Sequence, residues 1–203
     1  MMLHEKKDLE ADYSHIVTKK MKEDITEIIQ VPSEVTATIT NQEVNVKGKE
    51  GELSYMLNTP KIKAALANGT ITLSVKQATK REKRTINAIR AHIRNMINGV
   101  QKPYTYKLKI CSGHFPMNVS INENTLFIKN FLGEKSPRTT TIHDGKSVKI
   151  EGDQITVQNP SKELAGKIAS NIELLTNKGK RDTRTFQDGI YITEKAGKPV
   201  RKK

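Results

Sequence analysis

Apolar and polar residues alternate over short stretches in both halves of the chain, the pattern of half-buried β-strands. The predicted strands cover residues 35–40, 62–67, 70–76, 119–123, 147–151 and 154–158. Asn68-Gly69 separates the second from the third, and Gly152-Asp153 separates the last two. Such dipeptides favour two-residue hairpin turns, so the pattern predicts antiparallel sheets.

Two further stretches have apolar residues three or four positions apart, which is the period of an amphipathic helix. The two stripes are Ile86, Ile89, Ile93 and Met96, and Ala165, Ile168, Ile172 and Leu175. Thr79 with Glu82 forms a capping-box pattern before the first helix, and Ser161 can cap the second. Gly99 and Gly179 are the predicted C-terminal stops.

The two halves of the chain resemble each other. Residues 44–54 align without gaps with residues 126–136, sharing a lysine, a glycine, a glutamate and a serine at equivalent places. Each half continues into a hairpin and then a helix. We therefore predict an α+β fold of two tandem homologous units, each a small antiparallel sheet packed on one helix. The segment 99–103, with Gly and Pro inside five residues, is the predicted linker.

The charge balance favours a polyanionic partner. The 203 residues include 35 Lys or Arg and 22 Asp or Glu, for a net charge of +13 and a sequence pI near 9.7. Residues 1–103 carry 17 basic and 12 acidic side chains, net +5, and the remainder carries 18 and 10, net +8. The positive charge thus leans toward the C-terminal half.

Several classes of protein are disfavoured by what the sequence lacks. The single cysteine, Cys111, provides neither a disulfide pair nor a structural zinc site. Residues 1–10 are charged, and no apolar run approaches the roughly 20 residues of a membrane span. We expect a soluble, cytoplasmic protein without a cofactor, a metal or a membrane partner.

Signals of an enzyme are weak. Asp144-Gly-Lys-Ser147 has the end of a phosphate-binding loop, but Thr140 stands where the first glycine is required. Cys111 and His114 lie three residues apart with no second cluster to complete a metal site. We therefore predict a binding protein rather than an enzyme.

The tandem units and several motifs resemble the large-subunit ribosomal protein L-six family, in its archaeal and eukaryotic branch. The resemblance covers about residues 23–199. Its distinctive segments are residues 104–109 (YTYKLK), 114–117 (HFPM), 130–138 (NFLGEKSPR), 186–192 (FQDGIYI) and 195–199 (KAGKP).

The resemblance implies a structural constituent of the large ribosomal subunit. It would bind large-subunit rRNA near the sarcin–ricin loop and the platform where translation factors dock, beside neighbouring ribosomal proteins. We expect four segments: an N-terminal extension (1–23) that departs from the family pattern, a first repeat (24–101), a second repeat (102–184) and a basic C-terminal tail (185–203). The resemblance implies that the second repeat is the main RNA anchor. A free-standing protein that binds structured RNA is the alternative, which the composition allows equally.

Contacts to rRNA come mainly from Lys and Arg to phosphate oxygens, with polar side chains fixing register. Most candidates lie in the second half, on the family motifs, the loop around Pro137 and the segment after the second helix; solvated surface charge is the alternative for each. They are Lys107, Lys109, Lys135, Ser136, Arg138, Lys178, Lys180, Arg181, Arg184, Lys195 and Lys198, with Arg90 and Arg94 on the first helix. Lys61 and Lys63 have no clustered basic neighbours in the sequence, so we expect less from them.

Overall fold

The computed structural model describes residues 22–40, 42–67, 69–142, 147–179, 181–182 and 184–200. Most of the predicted N-terminal extension (residues 1–21), most of the Asp144–Ser147 motif, Asn68 and Lys180 lie outside these residues. The helices are α1 (Lys80–Gln101) and α2 (Lys162–Leu175), with a 3-10 turn over Phe131–Gly133. Neither helix is long and apolar enough to cross a membrane, and the same holds throughout the described ranges.

The strands occur in two similar series. The first is β1 (Glu23–Gln30), β2 (Thr36–Thr40), β3 (Glu43–Gly48), β4 (Gly51–Met56), β5 (Lys63–Ala67) and β6 (Thr70–Ala78). The second is β7 (Tyr104–Cys111), β8 (Asn118–Asn122), β9 (Thr125–Lys129), β10 (Arg138–Thr141), β11 (Val148–Glu151) and β12 (Gln154–Asn159). Two strands follow α2, namely β13 (Gly189–Lys195) and β14 (Lys198–Pro199).

The sheet order repeats along the chain and confirms the tandem α+β organisation. The first series forms sheets β1-β6-β5 and β2-β3-β4, and the second forms β11-β12-β7-β13-β14 and β10-β9-β8. Both predicted hairpins, β5–β6 and β11–β12, are antiparallel pairs with a positive-φ glycine in the turn. Each repeat has a second small sheet that the sequence did not predict. The central strand of this sheet buries alternate apolar residues. They are Val44 and Val46 in the first repeat, and Leu126 and Ile128 in the second.

By packing, the chain divides into two compact units. Of the described residues, those between 22 and 45 and between 54 and 94 form the first unit, and those between 46 and 53 and between 95 and 200 form the second. In the second unit, α2 contacts β7, β10, β12 and β13. The core between them is built from β-branched and aliphatic side chains, each worth about 1.5–3 kcal/mol when fully buried. They include Leu108, Ile110, Ile155, Val157, Ile168, Ile172 and Ile190.

Both predicted N-terminal caps are confirmed. The backbone N–H of Thr79 donates to Glu82 Oε2 at 3.0 Å, and the Thr79 hydroxyl donates to the same oxygen. These bonds, the hydroxyl contributing most, and the Lys61 ammonium lower the pKa of Glu82 to about 2. At α2 the Ser161 hydroxyl accepts the N–H of Leu164 at 3.3 Å. Each helix therefore begins where its capping residue indicates.

The predicted C-terminal ends are wrong. Helix α1 runs through Gly99 to Gln101, so the segment 99–103 is not a linker. Gly99 is required for a different reason, since a Cβ there would lie 2.0 Å from the carbonyl oxygen of Pro160. Helix α2 ends at Leu175 with Thr176 as its cap, and Gly179 lies beyond it. Gly99 is thus required because the backbone of Pro160 lies against it. Capping rules consider only residues close along the chain, so they do not predict this contact.

The substitution Gly99→Ala should destabilise the second unit even though Ala is the better helix former by about 1 kcal/mol. The added methyl must displace backbone rather than a flexible side chain, so we expect a net loss of about 1–3 kcal/mol in urea unfolding. Asn87→Ala, on an exposed position of the same helix, should stay within about 0.5 kcal/mol of the parent protein. Equal stability of Gly99→Ala and the parent would contradict this account.

Candidate RNA interface

The two repeats differ at one edge of their main sheets. In the second unit β13 adds to the free edge of β7, pairing Ile190 with Ile110 and Tyr191 with Lys109. In the first unit the corresponding edge of β1 pairs with no strand in the described ranges. Ile190 is fully buried, so its contacts with the core fix β13 in place. The basic C-terminal tail is therefore partly a strand of the second sheet.

Two predicted RNA contacts lie on the outer face of this sheet. Leu108 and Ile110 face the core, and Lys107 and Lys109 alternate with them on the other face. Lys107 Nζ lies 2.8 Å from Glu194 Oε2, its cross-strand neighbour. Lys109 is exposed and has no ion-pair partner in the part of the chain that is described. Of the two, Lys109 is the one free to bind a phosphate.

Polar contacts join the two ends of the α2–β13 loop, of which residues 176–179, 181–182 and 184–188 are described. The Thr176 hydroxyl accepts the N–H of Ile190 at 3.0 Å. Lys178 donates to the carbonyl of Phe186 and, at 2.6 Å, to the Tyr191 hydroxyl. That hydroxyl in turn donates to the carbonyl of Gln187 at 3.0 Å. Lys178 is predicted to contact RNA, but its ammonium group donates its hydrogen bonds to residues at the end of this loop and in β13.

Arg181 and Arg184 project from this loop. Both are exposed, and the Arg181 guanidinium lies 5.8 Å from the centroid of the Phe186 ring. The Arg184 side chain forms no ion pair within the described ranges. Because the base of the loop is fixed, these two cations are displayed with less conformational freedom than in an open tail.

Asp188 is a structurally important residue that the sequence analysis missed. Its carboxylate is 1 % exposed and accepts the backbone N–H groups of Gly113 at 2.5 Å and His114 at 3.2 Å. Burial alone would raise the pKa of Asp188, but these bonds and the nearby His114 imidazole lower it below its usual value. The Asp-Gly sequence indicates only a local turn. The N–H groups that bond to Asp188 lie some 75 residues earlier in the chain, so no local sequence pattern indicates them.

Lys109 and Arg184 meet at a cleft of about 450 Å³ beside the end of β7. We call it the β7 cleft, and its other lining residues include Cys111, His114, Asp153 and Asp188. Asp188 is committed to the backbone, whereas Asp153 is exposed and can accept a hydrogen bond from a ligand. The two cations suit a phosphate group of a nucleic-acid strand, whereas the Asp153 carboxylate repels phosphate and suits a donor such as a ribose hydroxyl.

The Arg138 side chain bonds to other groups of the protein itself. Its Nε and Nη2 donate to both oxygens of Glu134 at 2.8 and 2.6 Å. Its Nη1 donates to the carbonyls of Leu175 and Asn177, at 2.7 and 3.0 Å, and its guanidinium lies 4.3 Å over the Phe131 ring. The hydrogen bonds from Arg138 hold the pKa of Glu134 below its usual range. Arg138 therefore caps the C-terminal end of α2.

The remaining candidates fall into two groups. Arg90 Nη1 lies 2.9 Å from Glu27 Oε2 and ties α1 to β1. The others are exposed and form no hydrogen bond or ion pair through their side chains in the described part of the chain. They are Arg94, Lys135, Ser136, Lys195 and Lys198.

The described residues contain no group of three or more His, Cys, Asp or Glu that could hold a metal ion. The arrangement as a whole provides exposed cations around a cleft and a closed loop. Such an arrangement can bind and orient a polyanion.

Replacing Arg138 with Gln should destabilise the protein by about 2–3 kcal/mol, because charged hydrogen bonds to two carbonyls and one carboxylate are lost. Arg138→Lys should recover only part of this loss, since an ammonium cannot reproduce the planar fork. Lys135→Gln, three residues away and exposed, is the matched control and should change urea stability by less than about 0.5 kcal/mol.

The same contact has a pH signature. Since the pKa of Glu134 is lowered on folding, its contribution is present at neutral pH and is lost as pH falls through the lowered pKa. Arg138→Gln should therefore lose less stability than the parent between pH 5 and pH 3. Parallel stability curves for parent and variant would show that the ion pair contributes nothing.

Comparisons with known proteins agree with this architecture. The family model described as Ribosomal protein L6 matches residues 31–103 and 115–189, one segment in each repeat. The chain is 42 % identical over 174 residues to "Large ribosomal subunit protein uL6" of Methanococcus vannielii, covering 86 % of this chain and 96 % of that protein. The protein of the same name from Natronomonas pharaonis is 39 % identical over 166 residues, covering 82 % and 94 %. The one from Nanoarchaeum equitans is 42 % identical over 180 residues, covering 85 % and 94 %. Both repeats and most of the chain are thus accounted for, and the chain belongs to the ribosomal protein L6 family.

Proposed function

We propose that the protein is a structural constituent of the large ribosomal subunit, that it binds large-subunit rRNA, and that its second unit is the main anchor. As a member of the L6 family it is a structural, non-enzymatic protein. The names of its relatives place those proteins in the large subunit. The observation that carries the anchor assignment is the fixed α2–β13 loop, which presents Arg184 beside Lys109 at the β7 cleft.

Preorganisation is the physical reason for preferring this surface. An exposed lysine or arginine on a free tail must lose conformational entropy when it contacts a phosphate. In the α2–β13 loop part of that cost is met on folding, through the contacts of Lys178, Tyr191 and Asp188. Exposed Lys195 and Lys198, at the β13–β14 turn, extend the cationic surface along the same sheet.

The proposed position in the subunit is next to the sarcin–ricin loop, where translation factors dock. The support for it is the resemblance of the C-terminal motifs, in particular residues 186–192 and 195–199. Residues 186–192 form the end of the α2–β13 loop and the start of β13. The family motif therefore follows Arg184 in the chain and, through the pairing of Tyr191 with Lys109, adjoins the proposed RNA contacts.

The lone cysteine of the chain provides a direct test. Cys111 lines the β7 cleft and is partly exposed. If RNA occupies the cleft, reaction of Cys111 with a bulky maleimide should slow by about tenfold or more when the full chain is bound to deproteinised archaeal large-subunit rRNA. An unchanged rate in a complex shown to be saturated would contradict occupation of the cleft.

Substitutions extend the same test. Each lost phosphate contact should reduce the slope of log K against log salt by about 0.7–0.9. Lys109→Gln with Arg184→Gln should therefore lower the slope by about 1.4–1.8, and Cys111 should react faster in that complex than in the parent complex. The matched control, Lys129→Gln with Lys167→Gln, changes the charge of the same unit equally at exposed positions outside the cleft. Equal losses from the two pairs would mean that only net charge matters.

A further inference from the structure

A second basic cleft lies in the first unit, at one end of the sheet β1-β6-β5. It has a volume of about 430 Å³ and is lined by four lysines, with Pro60, Ser74, Gln77 and Thr79 completing the wall. We call it the lysine cleft, after Lys22, Lys61, Lys63 and Lys76. The sequence analysis expected little from Lys61 and Lys63 because they have no basic neighbours along the chain. The fold supplies those neighbours.

The strand register explains how these lysines meet. Lys63 at the start of β5 lies opposite Ser74 of β6, and Lys76 follows two residues later on the same face. Side chains in this diagonal relation are roughly 7–8 Å apart at their Cα atoms. Glu23 at the start of β1 lies opposite Ala78 at the end of β6, which brings Lys22 to the same end of the sheet. Three separate chain segments thus contribute to one cleft.

The four lysines outnumber the described carboxylates beside this cleft, which are Glu82 and Asp24; Asp24 Oδ1 accepts the backbone N–H of the lining residue Gln77 at 2.7 Å. Lys61 Nζ lies 3.1 Å from Glu82 Oε1, and the Lys61 side chain remains 69 % exposed. Lys22, Lys63 and Lys76 form no ion pair within the described ranges. The residues lining the cleft include no aspartate or glutamate. Close cations repel one another, so an anion that contacts several of them is favoured.

We propose that the lysine cleft binds the phosphodiester backbone of RNA as a second contact, separate from the anchor in the second unit. The choice of RNA as the polyanion rests on the proposed function. A protein partner fits less well, because the cores of protein interfaces are depleted in lysine and enriched in aromatic residues and methionine. The lining of this cleft includes neither aromatic residue nor methionine. Lysine binds phosphate as a point charge and tolerates varied strand geometry, so the contact orients the first unit without reading sequence.

The test compares two pairs of lysines in the full chain. Lys63→Gln with Lys76→Gln removes two charges from the cleft. It leaves intact the ion pair between Lys61 and Glu82, which belongs to the cap of α1. Lys80→Gln with Lys83→Gln removes two charges from exposed positions of α1 in the same unit, outside the cleft. Binding to deproteinised archaeal large-subunit rRNA is measured across salt concentrations, with circular dichroism as the folding control.

We expect the cleft pair to lower the slope of log K against log salt by about 1.4–1.8, and the α1 pair to leave it nearly unchanged. Equal slopes for parent and cleft pair would overturn the proposal, and so would equal losses from the two pairs. The second-unit pair Lys109→Gln with Arg184→Gln separates the two proposals. If the slope falls for the second-unit pair but not for the cleft pair, the proposed function is supported and the second contact is refuted.

Chemical modification gives an independent readout. Acetylation of Lys63 and Lys76 by an N-hydroxysuccinimide ester, followed by mass spectrometry, should be suppressed in the rRNA complex, while Lys80 and Lys83 stay reactive. Poly-glutamate serves as the acidic-polypeptide probe. Protection of Lys63 and Lys76 by poly-glutamate but not by rRNA would overturn the proposal in favour of a protein partner.

Discussion

The pairing of β13 with β7 is the constraint on which the arrangement of the second unit depends. It brings Ile190 into the core under α2 and adds two strands to an edge that stays open in the described first repeat. Once β13 is in place, Thr176, Lys178 and Asp188 find partners on either side of the α2–β13 loop. The alternation of Ile190 and Ile192 with Tyr191 indicates a strand in the sequence, and the structure adds the strand that it pairs with, β7. Within the described ranges only the second repeat carries these added strands, and Lys195 and Lys198 of its basic surface lie on them.

The structure also separates cations that hold the protein together from cations that are free to bind. Arg138, Lys178 and Arg90 resemble the free cations in sequence, but each donates to groups of the protein itself. Lys109, Arg184 and Lys135 have no such partner in the described part of the chain. Charge reversal at Arg138 would therefore report on folding more than on RNA affinity. Net charge predicts a polyanionic partner, and hydrogen-bonding geometry decides which side chains are available to it.

Local sequence patterns predicted the repeat, both hairpins, both helices and both N-terminal caps, because each depends on residues that are close along the chain. The failures share a physical cause. Gly99 is set by the backbone of Pro160, Arg138 by the end of α2, and Asp188 by the loop at Gly113. The lysine cleft likewise joins residues from three segments. Contacts between distant segments leave no periodic signal, so they become visible only when strand order and register are known.

The central claim is that the RNA-facing surface of the second unit is formed before RNA binds. Amide hydrogen exchange of the isolated protein at the N–H groups of Gly113, His114 and Ile190 tests it most directly, because these donate to Asp188 and Thr176 at the base of the α2–β13 loop. The account predicts that they exchange as slowly as amides in the β7–β12 core, since opening them requires release of β13. Exchange as fast as in an exposed loop, with protection only after rRNA is added, would contradict it.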